Sequence, residues 1–103
     1  MHGIEFKSTS YPYHYEYLRD SNGNFTKFDS ITDARKKCMR LIANHTAIVA
    51  FVRPDEEGVY MTRDGKYVLE RRKIDKWNYL NKDGTCGSQI KNIRNVDLIR
   101  SAW

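Results

Sequence analysis

A single amphipathic helix, set in a chain that otherwise carries the patterns of strands and turns, constrains the fold most. Between positions 31 and 45, apolar residues recur at three- and four-residue steps, as they do along one side of an α-helix. Ser30 can cap the first turn by accepting a hydrogen bond from the Asp33 amide, and Asn44 suits a left-handed end. The pattern therefore predicts a helix over residues 30–44 with one apolar side.

The rest of the chain has the alternation of short strands joined by Asn-Gly and Asp-Gly turns, which favour hairpins. The first predicted hairpin pairs residues 14–20 with 25–29; with Asn22 and Gly23 as its loop, Tyr17 would lie opposite Phe28. Residues 46–52 are apolar from Ala47 onward and rich in β-branched side chains, which predicts a central strand covered on both faces. The remaining predicted strands are 59–63 and 66–72 around the Asp64-Gly65 turn, then 76–81 and a partner within 85–91.

These elements predict one α+β domain over residues 1–103, a length typical of a single domain. We expect the order ββαββββ, with the helix packed across one face of a five- or six-stranded antiparallel, meander-like sheet. The tail, 95–103, has the pattern of a short C-terminal helix capped by Asn95 that docks Leu98, Ile99 and Trp103 on the domain. One helix covers one face, so the other face is expected to be polar or an interface.

The two cysteines, Cys38 and Cys86, are too few for the disulfide framework of a small secreted domain. The N-terminus lacks the basic-then-apolar order of a signal peptide, and the longest apolar run, 47–52, is too short to cross a bilayer. The three histidines have no metal-ligand spacing with one another or with the cysteines. We therefore expect a cytoplasmic, soluble protein with no membrane partner, metal or cofactor, and the sequence leaves its oligomeric state open.

The net charge of +5 is unevenly distributed along the chain. Residues 1–34 hold three cations and five anions, whereas the remainder holds fifteen cations and eight anions. A basic surface attracts nucleic acids and acidic proteins. The leading prediction is a small non-enzymatic binding module for nucleic acid, or for a protein complex that handles nucleic acid. Its predicted contact residues are the cations Lys36, Lys37, Arg40, Arg71, Arg72, Lys73 and Lys76, with Trp77 and Tyr79 for base stacking.

Four tyrosines, Tyr11, Tyr13, Tyr15 and Tyr17, recur at the two-residue period of a strand, which would place all four rings on one face. Two interpretations stay open. The rings form the floor on which the helix packs, or they form a face that contacts a partner. The second interpretation gives an alternative function, a regulator or inhibitor of a larger complex, of the kind that phages and mobile elements carry.

A third hypothesis is enzymatic. Pro54-Asp55 followed by Glu70-Arg71-Arg72 resembles the PD-(D/E)xK nuclease pattern, with arginine in place of the usual lysine. The resemblance implies that Asp55 and Glu70 would hold a divalent metal ion that activates water. Pairing about Asp64-Gly65 would set Glu70 opposite Val59, which leaves Asp55 several residues beyond it. The leading prediction remains non-enzymatic, with no catalytic residue assigned.

Overall fold

The computed structural model of the chain describes residues 1–101 and contains seven strands and one α-helix in that range. The order is ββαβββββ, one strand more than predicted. The strands are β1 (Gly3–Ser8), β2 (Tyr15–Tyr17), β3 (Ala47–Arg53), β4 (Glu57–Met61), β5 (Tyr67–Arg71), β6 (Lys76–Leu80) and β7 (Cys86–Ile90), and the helix is α1 (Ile31–Ala43).

All seven strands form one antiparallel sheet in the order β2-β1-β3-β4-β5-β6-β7, which confirms the predicted fold class. The sheet has seven strands, so the predicted count of five or six is wrong, and β1 lies outside every predicted strand. β1 pairs with β2 on one side and with the central strand β3 on the other. The predicted strand 25–29 is reduced to two isolated bridges, Arg19–Phe25 and His2–Phe28.

Helix α1 covers one face of the sheet, and its buried residues form the main core. Ser30 caps it by accepting a long hydrogen bond of 3.5 Å from the Asp33 amide, as predicted. The left-handed residue that follows the helix is His45, with φ of 60°, and the prediction of Asn44 for this role is wrong. The buried helix residues, Ala34, Cys38, Met39, Leu41 and Ile42, pack with side chains of β1, β3, β4, β5 and β6.

The opposite face of the sheet, here called the outer face, is partly covered by the C-terminal segment 92–101. Leu98 forms an antiparallel bridge with Thr62, and the Ile99 amide donates to the Met61 carbonyl at 2.9 Å. Both Leu98 and Ile99 are buried, as predicted. The predicted C-terminal helix is wrong within the described residues, because the segment holds only a 3₁₀ turn, Ile93–Asn95, capped by Asn92. Trp103, also predicted to dock, lies outside the described residues.

All three Gly-containing hairpin loops have the same geometry. In each, the glycine has positive φ and its amide donates to the residue three positions earlier: Gly23 to Asp20, Gly65 to Thr62, and Gly84 to Asn81. This is a three-residue loop, one residue longer than the predicted two-residue turn. The added residue shifts both predicted registers, so Arg19 rather than Asp20 lies opposite Phe25, and Glu70 lies opposite Gly58 rather than Val59.

None of the helices in residues 1–101 combines the length and the apolar character needed to span a membrane.

Candidate functional site

Four aromatic rings form a row across the outer face. Tyr15 on β2, Phe51 on β3, Tyr60 on β4 and Trp77 on β6 lie with successive ring centroids 6.1, 6.4 and 5.6 Å apart. Strand alternation explains the arrangement, because each residue is one position away from a side chain that faces α1. We call these four residues the aromatic row. It joins rings from four different strands into one continuous surface.

Three arginines lie over the aromatic row. The guanidinium carbons of Arg53 and Arg72 are 5.0 and 4.7 Å from the centroid of Phe51. Arg100, from the C-terminal segment, is 5.6 Å from the Tyr60 centroid and 5.9 Å from the Trp77 centroid. These distances are within the range of cation–π attraction. Phe51 and Tyr60 are therefore only 4% and 6% exposed, so the middle of the row presents guanidinium groups and its ends present rings.

Gly58 makes room for this arrangement. It is the second residue of β4, opposite Phe51 on β3 and Glu70 on β5. A Cβ at this position would be 3.0 Å from a ring carbon of Phe51 and 3.0 Å from a ring carbon of Tyr60, and 3.3 Å from the Glu70 carboxylate. Glycine inside a central strand commonly marks such a close approach. The missing side chain lets two aromatic rings and a carboxylate meet across β4.

Carboxylates hold two of the three arginines, Arg53 and Arg72, in place. Glu5 and Glu56 each accept a hydrogen bond from Arg53, at 3.2 and 2.9 Å, and Glu70 accepts one from Arg72 at 3.1 Å. Glu70 also accepts from the Tyr60 hydroxyl at 2.8 Å. Burial, together with this hydrogen bond, raises the pKa of Tyr60 to about 12, so the hydroxyl stays a donor at neutral pH. The guanidinium groups of Arg53 and Arg72 are thereby oriented before any ligand arrives.

A cleft of about 250 Å³ opens at the β2 end of the row. Its lining combines an exposed ring, Tyr15, with a carboxylate and two guanidinium groups above the buried Phe51 ring. The lining residues are Glu5, Tyr15, Phe51, Arg53 and Arg72.

The sequence-predicted contact residues are divided between two sides of the molecule. Strand alternation puts Trp77 and Tyr79 on the outer face, where both pack against the cluster that contains Tyr60 and Tyr79 lies 5.7 Å from the Lys66 ammonium. Arg72, just after β5, lies over Phe51 on the same face. Arg71 and Lys76 are cross-strand neighbours on the face that α1 covers, and Lys73 lies in the 3₁₀ turn Arg72–Ile74. The predicted cations Lys36, Lys37 and Arg40 are on the polar side of α1.

The tyrosines are at the surface, and the interpretation of a floor beneath the helix is wrong. Tyr11 is 86% exposed, and Tyr13, Tyr15 and Tyr17 are about half exposed. Only Tyr15 and Tyr17 lie in a strand, because β2 has three residues. They pair with Lys7 and Glu5 of β1, which face away from α1. The four tyrosines therefore lie along the β2 edge of the sheet, outside the helix-facing core.

The two carboxylates of the nuclease hypothesis have separate partners. Asp55 contacts the Nδ1 atom of His2 at 2.5 Å, whereas Glu70 contacts Tyr60 and Arg72 on the outer face. Among residues 1–101, no group of three or more His, Cys, Asp or Glu side chains is placed to hold a metal ion.

Burial raises the pKa of the Cys38 thiol to about 12, which keeps it protonated.

Sequence reasoning missed two of the four rings of the aromatic row, Phe51 and Tyr60, and two of the three arginines over it. Phe51 and Tyr60 belong to strands of apolar sequence, in which a buried ring resembles any other core residue. Arg53 is the last residue of β3 and Arg100 belongs to the C-terminal segment, so the two are far apart in sequence. Gly58 is the one local signal, a glycine directly before a run of strand residues.

Comparison of the chain with protein-family models, with curated proteins and with solved structures finds no significant match in any of the three.

Proposed function

We propose that this chain is a non-enzymatic binding module that takes a single-stranded nucleic acid on the outer face of its sheet. The observation that carries the proposal is the aromatic row with three arginines stacked over it. Single strands bind proteins through bases that stack on aromatic rings or on guanidinium planes, with cations along the backbone. Tyr15 and Trp77 offer rings at the two ends of the row, and the arginines offer planes and charge between them.

The charge of the outer face supports an anionic ligand. Five cations lie on this face or over its rings, against three carboxylates that bind its arginines; the cations are Lys7, Arg53, Lys66, Arg72 and Arg100, and the carboxylates are Glu5, Glu56 and Glu70. The net charge of the whole chain, +5, has the same sign. Phosphate neutralisation by such cations supplies salt-dependent affinity.

The shape of the face favours a single strand over a duplex. Seven strands spaced about 4.8 Å apart make a surface roughly 29 Å wide, too broad to enter a major groove about 12 Å wide. The bases of a duplex are also stacked on each other and offer no free face to a ring.

Replacing Arg72 and Arg100 together with glutamine is expected to weaken binding to single strands by about tenfold or more. Each lost phosphate contact should also reduce the magnitude of the log–log salt slope by roughly 0.7. The measurement is fluorescence anisotropy with labelled single-stranded and duplex DNA and RNA of equal length, across a salt series.

The matched control is Lys37→Gln with Arg40→Gln, which removes the same charge from the polar side of α1. If the control weakens binding as much as the outer-face variant, the ligand does not lie on the aromatic row. If the unmodified protein binds no nucleic acid even at low salt, the proposal is wrong and the partner is a protein.

The exposed aromatic residues at the β2 edge favour a second candidate function, a regulator or inhibitor of a larger protein complex. Tyr11, Tyr13, Tyr17 and Phe25 are each 46% or more exposed, and a groove of about 440 Å³ runs beside Tyr17 and Phe25. Exposed tyrosines of this density are typical of protein interfaces.

Under this candidate function, Tyr13→Ala combined with Tyr17→Ala should lower the affinity for the protein partner by about 30-fold or more, the scale of interface hot spots. The partner is first identified by cross-linking and mass spectrometry, and the affinity is then measured by biolayer interferometry. Lys37→Gln with Arg40→Gln again serves as the control. Unchanged affinity in the tyrosine variant would exclude this edge as the contact surface.

A further inference from the structure

The cleft beside Tyr15 has the parts of a subsite for one base. Its exposed ring provides a stacking surface, tilted 42° to the buried Phe51 ring. The Arg72 guanidinium also lines this cleft, and its Nε atom donates to Glu70. A base on Tyr15 would therefore have a cation within the same cleft for its phosphate.

Glu5 is the cleft residue that can read the base. Its Oε1 atom accepts a hydrogen bond from Arg53, while its Oε2 atom has no hydrogen-bond partner among residues 1–101. The side chain is 22% exposed and is fixed by its strand position opposite Tyr17 on β2. An ionised carboxylate only accepts hydrogen bonds, so Glu5 requires a donor from whatever occupies the cleft.

We infer that Glu5 makes this subsite selective for adenine and cytosine, whose exocyclic amino groups lie where guanine, thymine and uracil have a carbonyl oxygen. This inference rests on the proposed function. Adenine and cytosine present an amino donor on the edge that faces outward from a stacked base, whereas thymine and uracil present a carbonyl oxygen at the equivalent position. The amino group donates to Glu5 Oε2. A carbonyl oxygen in the same place would face the carboxylate without a hydrogen, so thymine or uracil would have to shift to donate its neighbouring N3–H instead.

The decisive comparison is between oligo(dC) and oligo(dT) of equal length, because both are pyrimidines of similar size and stacking area. We expect oligo(dC) to bind roughly 3- to 10-fold more tightly, less than the full contribution of a hydrogen bond to a charged group, because thymine can recover part of that contribution through its N3–H. Oligo(dA) should also bind more tightly than oligo(dT). Competition anisotropy at one salt concentration measures all three affinities.

Glu5→Gln provides the test of the residue itself. The glutamine oxygen can still accept from Arg53, which leaves its NH₂ group facing the cleft, so a base carbonyl becomes the better partner. The preference for oligo(dC) over oligo(dT) should then disappear or reverse. Arg53 keeps its second partner, Glu56, so the cleft stays assembled, and circular dichroism checks the fold. Glu56→Gln is the matched control, since Glu56 also binds Arg53 but does not line the cleft, and it should keep the preference.

The outcomes separate this inference from the proposed function. Equal binding of all three oligonucleotides by the unmodified protein overturns the base selectivity and leaves single-strand binding intact. A preference that survives in Glu5→Gln overturns the role of Glu5. Absence of binding to every oligonucleotide overturns the proposed function and this inference with it.

Discussion

Gly84→Ala is expected to lower the free energy of unfolding by about 2–5 kcal/mol, although it adds a single methyl group at a hairpin loop. Gly84 has φ of 89°, in the left-handed region, where a Cβ costs roughly 1–2 kcal/mol. It is also buried against the start of α1, and an added Cβ would overlap the Thr32 carbonyl oxygen and come within 3.0 Å of Thr32 Cα. Overpacking against backbone costs roughly a further 1–3 kcal/mol, because backbone cannot rotate aside.

Gly65→Ala is the matched control for this prediction. Gly65 occupies the same position of the same loop type, with φ of 90°, but nothing lies within 4 Å of the position of its Cβ. The free energy of unfolding of Gly65→Ala should fall only by the cost of a Cβ in the left-handed region, about 1–2 kcal/mol. Urea unfolding followed by circular dichroism measures both variants. Equal losses would contradict the close packing of the β6–β7 loop against α1.

The fold was predictable where the local signals are strong. The helical stripe, the Ser30 cap and the apolar run of β3 each predicted an element that the structure contains, with boundaries shifted by about one residue. β1 has the alternation of a strand, since Ile4 and Phe6 face α1 while Glu5 and Lys7 face away. With only two apolar residues, the alternation in β1 is a weaker signal than the apolar run of β3. The strands that pair with β1, which are β2 and β3, lie about 10 and about 45 residues away in sequence.

The register of the hairpins could not be predicted from the Asn-Gly and Asp-Gly dipeptides, because these dipeptides do not specify the length of the loop. Asn-Gly and Asp-Gly occur in two-residue turns and also in three-residue loops with a left-handed glycine. The choice between the two loops decides which residue faces which partner, because a shift of one residue moves side chains to the other face. Side-chain hydrogen bonds stabilise the longer loops here, such as Asp20 Oδ1 with the Asn22 and Asn24 amides.

The candidate site was the least predictable part, because it is assembled from side chains that are distant in sequence. Consecutive residues of a strand face opposite ways, so the run of cations and aromatics from Arg71 to Tyr79 does not form one surface. Lys76 and Trp77, adjacent in the chain, lie on opposite faces. The arginines that do cover the aromatic row, Arg53, Arg72 and Arg100, come together only through the pairing of β3, β4 and β5 and the return of the C-terminal segment.

Glu57→Leu is expected to destabilise the fold by about 3–5 kcal/mol, a large part of the 5–15 kcal/mol typical of a domain. Arg35 of α1 and Glu57 of β4 form a two-point ion pair with both N–O distances at 2.8 Å, and each side chain is only 10% exposed. The Glu57 carboxylate holds the pKa of Arg35 above its ordinary value even though burial acts to lower it. Removing Glu57 leaves a buried guanidinium whose remaining partner is the Gly84 carbonyl at 3.2 Å.

Replacing the other partner, in Arg35→Met, should lower the free energy of unfolding by less than Glu57→Leu does. Glu57 would keep a neighbouring cation, because Arg71 is its cross-strand partner on β5 and lines the same small cleft. The double variant, Arg35→Met with Glu57→Leu, should recover at least half of the free energy of unfolding that Glu57→Leu alone loses. A well-packed apolar pair often matches a buried ion pair in stability. Urea unfolding of the four proteins gives the coupling energy. A double variant as unstable as the sum of the two single variants would mean that the pair is not coupled, and the link between α1 and β4 would have to be sought in apolar packing alone.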